Sequence, residues 1–163
     1  TGNKIPRGWD NQIQNDLVLN VKFDYEKQLF RYNELLSLQS VAAFQLGTLF
    51  SNAMVGFNTT FGLIDLPFSG SGYSSAFKLF AYAQPVVSII GYDATLQGGI
   101  FTNDNPYEIS SKDIERVTSQ IDYGLILKYK RLYLEYNRTS ITREFKSGNA
   151  AKWGGFRVGY VFL

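Results

Sequence analysis

The chain has neither cysteine nor histidine in its 163 residues. Without cysteine there are no disulfides and no thiolate metal sites, which fits a cell-envelope protein that avoids oxidation chemistry. Without histidine the commonest general base and metal ligand is gone. An enzyme built from these residues alone would have to work with Asp, Glu, Lys, Tyr, Ser or Thr. Charged residues make up 18% of the chain, below the roughly 25% of soluble domains. The net charge of +2 is too small to argue for nucleic acid, which is excluded as a partner. No run of 18 apolar residues occurs, so there is no transmembrane helix. Thr1-Gly2-Asn3-Lys4 is not followed by an apolar h-region. A secreted protein needs such a signal, so the expectation is that it was removed or that an N-terminal part is absent.

Aromatics are plentiful, at 16% with 11 Tyr and 13 Phe, and they are patterned. Phe156, Val158, Tyr160 and Phe162 alternate with Arg157, Gly159, Val161 and Leu163 at the end of the chain. A soluble protein seldom stops on an exposed aromatic strand, whereas an outer-membrane barrel closes on one. The same period of two runs through segments 16–26, 32–46, 53–63, 76–100, 117–129, 132–142 and 153–163. Leu17, Leu19, Val21, Phe23 and Tyr25 share a face in the first. Ile121, Tyr123, Leu125, Leu127 and Tyr129 do so in the fifth. Pro85 predicts a bend or bulge within the fourth, because proline cannot donate to a ladder. The reading is all-β: one antiparallel transmembrane β-barrel domain over residues 1–163, with about seven strands and an extracellular-side loop at 1–12 leading into it.

Alternation alone also fits a soluble, lipocalin-like binding barrel. Two details favour the membrane. Tyr25, Tyr129 and Phe162 are placed at strand ends as an interfacial girdle requires. The opposite faces carry uncharged polar residues suited to a barrel interior: Asn20, Ser37, Gln39, Asn58, Thr60, Gln120 and Asn137.

If the last strand ends in the periplasm, the other connections follow. Lys130-Arg131 is a tight periplasmic turn, as is the one near Lys27-Gln28. The connections Thr102–Arg116 and Lys146–Lys152 are extracellular. Asp65–Ser75 is long for the periplasmic side. An odd strand count starts the chain on the extracellular side, whereas intact bacterial barrels have even counts. Either an odd number of strands lies elsewhere, or segment 76–100 splits at Pro85 to give eight.

Three stretches carry a resemblance. Gly8-Trp9-Asp10-Asn11-Gln12-Ile13-Gln14-Asn15-Asp16 resembles the G-W-x-x-Q-L-x-(N/D)-E signature of the outer-membrane lipid A 3′-O-deacylases. Gly47-Thr48-Leu49-Phe50-Ser51-Asn52-Ala53, with Gly56 and Phe61-Gly62, resembles that family's G-x-x-x-x-N-x-x-x-x-G hairpin. Arg143-Glu144-Phe145 resembles its (K/R)-E-F closing hairpin. The resemblance implies a twelve-stranded outer-membrane barrel, with seven strands here and five elsewhere. It implies calcium-dependent removal of the 3′-acyloxyacyl group of lipid A by a catalytic His and an Asn-Asp pair. That His would precede Thr1, so no catalytic residue and no calcium ligand is assigned in this chain. Trp9, Asp10 and Gln12 lie where they could shape a substrate site or pack a loop.

Ester hydrolysis needs a base for water and donors or positive charge for the oxyanion. Asp16, Asp24, Asp122 and Glu135 lie on different strands, with no spacing that predicts convergence. Glu135 and Arg138 are read as lumen or strand-end charges, and Asp104, Glu108 and Asp113 as a solvated loop. The expected location is the bacterial outer membrane. Expected partners are outer-membrane lipid and lipopolysaccharide, with an N-terminal half or other envelope proteins. The alternative to a deacylase is a non-enzymatic barrel serving as an accessory or structural subunit of an envelope complex.

Overall fold

The computed structural model describes residues 17–33, 35–62, 77–100 and 108–162. Within them the alternating segments form seven strands: β1 (Asn20–Tyr32), β2 (Leu36–Gly47), β3 (Phe50–Gly62), β4 (Phe77–Asp93), β5 (Val117–Tyr129), β6 (Leu132–Ile141) and β7 (Ala151–Tyr160). They pair antiparallel in chain order into one sheet, so every hydrogen-bonded neighbour is also the neighbour in sequence. All seven reach 10 residues or more, the ~9–11 that cross a bilayer as tilted strands. In this sheet β1 and β7 are the two edges.

Several boundaries differ from the sequence expectation. The first strand runs to Tyr32 and β2 starts at Leu36, so the chain does not turn at Lys27-Gln28. Asn33 takes a φ of 47°, a left-handed conformation to which asparagine is better suited than most residues. Tyr25 therefore sits in the middle of β1, not at a girdle position, while Tyr129 does end β5. The fourth strand stops at Asp93, because its carboxylate accepts from the Thr95 amide at 2.9 Å and starts a one-turn helix, α1 (Ala94–Gln97).

Pro85 lies inside a single continuous β4, so the strand does not split into two. It also makes no bulge. The β3–β4 register is the same at Gly56↔Val86 and Thr59↔Ala83, with the pairing interrupted only between them. The β4 bulge falls at Gly91, where Ser51 pairs Tyr92 but Asn52 pairs Ile90; a second irregularity falls at Leu29 of β1.

The registers join residues into rows across the wall. One runs Tyr25–Ala42–Val55–Val87–Ser119, and another Lys128–Tyr133–Gly159 on the opposite face. One face holds Phe23, Phe44, Phe61, Leu125, Phe156 and Val158, and its side chains are exposed; Phe156 reaches 84%. The other holds the buried Ser37, Ala43, Val86, Thr118 and Glu135. Side chains crowd on a concave face and splay on a convex one, so the wall curls toward its polar side. This inverts a soluble sandwich, where the apolar face is the covered one.

Gly47 shows how tightly the β2–β3 hairpin is built. Asn20 Oδ1 accepts from the Leu49 and Phe50 amides at 3.2 and 3.3 Å. A Cβ on Gly47 would lie 1.9 Å from that oxygen. The Thr48 hydroxyl donates to the Leu17 carbonyl at 2.8 Å and accepts from the Leu19 amide at 3.0 Å, tying the hairpin to the start of β1.

Candidate functional site

The concave face carries two polar clusters. In the first, Glu135 of β6 is 7% exposed and receives three donors. The Tyr133 hydroxyl donates to Oε2 at 2.6 Å, Arg157 Nη1 to Oε2 at 2.8 Å, and the Tyr82 hydroxyl to Oε1 at 3.0 Å. Tyr133 is two residues from Glu135 on the same strand, and Arg157 is its cross-strand partner on β7. Tyr82 reaches over Gly124 of β5, its cross-strand partner, which has no side chain to block it. Lys128 Nζ stands 5.9 Å from the Phe80 and Tyr133 ring centres, within cation–π range. The carboxylate is thus held by phenols and a guanidinium, all donors. That arrangement fixes an anion and ties together three strands, β4, β6 and β7; it does not poise a base for water.

The second cluster lies nearer the opposite end of β5 and β6. Asp122 accepts from Gln120 Nε2 at 2.6 Å and from the Thr139 hydroxyl. Asp122 pairs Thr139 and Glu135 pairs Ile126, so the two carboxylates stay two inward rows apart. Asp24 pairs with Lys22 at 2.8 Å on β1. Among the described residues Asp24, Asp122 and Glu135 do not converge, and Asp16 lies outside the described residues. Glu135 pairs with Arg157, not Arg138; Arg138 points to the convex face, in the row of Tyr123 and Gly154.

At the end of the wall where β4 leads to β5 and β6 to β7, two connections lock together. Ile114 and Phe145 form an isolated bridge, flanked by Glu115 N to Glu144 O at 2.9 Å and Lys146 N to Asp113 O at 2.8 Å. Arg143 pairs with Glu115 at 2.7 Å. Arg143-Glu144-Phe145 is therefore a clasp between connections. Arg116 donates to the Gly91 carbonyl at 2.6 Å and to the Ser111 carbonyl at 2.9 Å, spanning the bulge of β4.

A cavity of about 540 Å³ opens here, lined in part by Tyr92, Gln97, Glu108 and Ser111. Glu108 Oε1 is buried there without a hydrogen-bond partner. Calcium takes six to eight oxygens, usually with several carboxylates. Among the described residues no three Asp, Glu, His or Cys side chains gather at one point. The described residues therefore do not fit a calcium site of that kind. Glu108 and Asp113 lie in the connection as expected, Asp113 facing Lys146 at 4.0 Å; Asp104 lies outside the described residues.

The sequence-predicted site residues Trp9, Asp10 and Gln12 also lie outside the described residues, as does the 1–12 loop. The Glu135 cluster went unrecognised in the sequence. The Tyr133/Glu135 spacing of two was readable, but Arg157 and Tyr82 join only through registers fixed by folding.

No curated protein sequence matches the chain. Among solved structures, LpxR from Salmonella typhimurium is similar, with a TM-score of 0.72 and 16% identity over 94% of this chain and 55% of that one. At that identity the likeness speaks for the fold, and it makes the open seven-stranded wall part of a barrel. The chain spans about half, 55%, of the solved protein's length. The family model of the outer membrane protein LpxR matches residues 1–162, and the chain belongs to that outer-membrane family.

Proposed function

We propose that this chain forms part of an enzyme that hydrolyses the ester holding the 3′-acyloxyacyl group of lipid A, with its convex apolar face in the outer-leaflet lipid. The observation that carries the reading is that face: through seven strands its large side chains are mostly apolar, and many of them are solvent-exposed, a surface that only lipid covers at low free energy. The ester-hydrolysis step rests on the three motif stretches and on family membership.

The general base is assigned to residues outside these 163, since the chain has no histidine and Glu135 already accepts from two phenols and a guanidinium. Trp9, Asp10 and Gln12 are proposed to border the substrate. Calcium is proposed as the cofactor on the family resemblance alone, and no step is drawn through it. The wall's own contribution is rigidity: the Glu135 cluster fixes β4 to β7, and the Arg143-Glu144-Phe145 clasp fixes the connections beside the headgroups.

A second reading, a non-enzymatic envelope barrel, is favoured by the satisfied carboxylates of the concave face. Both are tested by expressing the full-length protein that contains these 163 residues in the outer membrane of a Gram-negative host and recording mass spectra of its lipid A. Loss of the 3′-acyloxyacyl mass, abolished by chelator, is expected. Unchanged lipid A with a co-purifying envelope protein would replace the enzymatic reading with the accessory one.

A further inference from the structure

The convex face carries very few charges, and all are of one sign. Along the seven strands its outward positions include Lys27, Arg138 and Lys152, and no Asp or Glu. Arg138 and Lys152 are diagonal neighbours: Arg138 pairs Gly154, and Ser140 pairs Lys152. Such positions are roughly 7–8 Å apart, within joint reach of one small anion. Both are exposed, and neither has an ion-pair partner among the described residues. Arg138 is given room by Gly154, where a Cβ would come within 3.1 Å of its Cγ.

The pair is at one end of the wall. Lys152 is the second residue of β7, and Arg138 is three residues from the end of β6. That is within ~10 Å of the strand ends, on the side of the 142–150 connection. Long cationic side chains there can keep their charges at the headgroup level while their stems lie on apolar surface.

A trough of about 810 Å³ adjoins them on the same face. It crosses the strands between two outward rows, and its lining includes Ala42, Val55, Pro85, Val87, Ile121 and Ser140. Small side chains at Ala42, Ser119 and Ser140 open it between the larger ones. One end lies at Ser140, the cross-strand partner of Lys152. Its volume is that of a small-ligand site, roughly 300–1,000 Å³.

We propose that Arg138 and Lys152, with this trough, form a binding site for a net-anionic lipid of the outer leaflet that carries a phosphate monoester: the monoester sits between the two cations and one acyl chain lies in the trough. Guanidinium recognises phosphate through paired N–H donors, and the ammonium adds a point charge. A protein partner would meet an apolar channel opening into the bilayer; a lipid brings a charged head and a chain in the same order as the site. The inference rests on the membrane placement of the convex face and not on ester hydrolysis.

The test is native mass spectrometry of the detergent-solubilised protein with added bisphosphorylated lipid A, or with phosphatidylethanolamine as the zwitterionic comparison. The Arg138→Ala/Lys152→Ala protein should retain lipid A at least about tenfold more weakly, with zwitterionic lipid unaffected. Arg138→Lys/Lys152→Arg should retain it, and Ala42→Phe, which fills the trough, should weaken it without removing charge. Circular dichroism checks that each variant is folded. Equal retention by the wild type and the doubly neutralised protein overturns the site, as does equal retention of both lipids by the wild type. The masses of the retained lipid A read hydrolysis separately, so loss of retention and loss of deacylation are distinguishable.

Discussion

Glu135 shares two oxygens among three donors, and each of those donors comes from a different place: its own strand, the adjacent edge strand and a strand two away. Removing the carboxylate strands all three, so Glu135→Ala should destabilise the barrel by about 2–3 kcal/mol, toward the low end for buried pairs because Arg157 is 66% exposed. Tyr82→Phe removes one donor and should cost about 1 kcal/mol. Urea unfolding in lipid vesicles, followed by tryptophan fluorescence, measures both; equal effects would mean that the carboxylate is not the hub. Gly47 makes a different demand. Gly47→Ala would place a Cβ 1.9 Å from Asn20 Oδ1 and expel that side chain from the β2–β3 turn. The expected loss is about 1–3 kcal/mol, with faster amide exchange at Leu49 and Phe50. Unchanged exchange there would show that the turn holds without Asn20.

At the scale of elements, the interruption of the β3–β4 ladder between Gly56↔Val86 and Thr59↔Ala83 coincides with Pro85, which has no N–H to give. Pro85→Ala should restore a donor in the middle of an otherwise regular pairing, gaining up to about 1 kcal/mol and slowing amide exchange at Gln84 and Phe57. Exchange unaltered at both would place the cause of the gap elsewhere. The strands themselves were legible because alternation is a property of one strand at a time. Their ends were less so. Lys27-Gln28 reads as a turn by polarity, yet the two residues continue the alternation, Lys27 pairing Ser40 and Gln28 pairing Gln39. Leu96 and Ile100 extend the apolar run of the fourth segment, but the Asp93 carboxylate had already turned the backbone into α1. The Glu135 cluster was beyond reading for a further reason. Its members are 53 and 22 residues from Glu135 in the chain for Tyr82 and Arg157, and only the registers of three strand pairs bring them to one point.

For the whole molecule, the deciding quantity is which face meets lipid. In hydrocarbon an unpaired backbone group costs several kcal/mol, so the β1 and β7 edges must be paired within the membrane, in keeping with the barrel fold of the similar structure. The same argument bears on the side chains: a charged residue at the bilayer midplane on the lipid side costs about 2–4 kcal/mol, and two of the three convex-face cations, Arg138 and Lys152, lie near one end, while Lys27 is set midway along β1. The absence of cysteine makes this directly measurable, since a single introduced cysteine is a unique labelling site. Spin labels placed one at a time along β5, from Gln120 to Lys128, should show oxygen accessibility rising and falling with a period of two. Maxima are expected at Ile121, Tyr123, Leu125 and Leu127, with minima at Gln120, Asp122 and Ile126. A polar nickel reagent should not follow the oxygen maxima, because the outward positions lie in hydrocarbon rather than in water. Reversed phases would put the apolar face inside and return the chain to the soluble-barrel architecture, while maxima shared by oxygen and nickel would place that face in water.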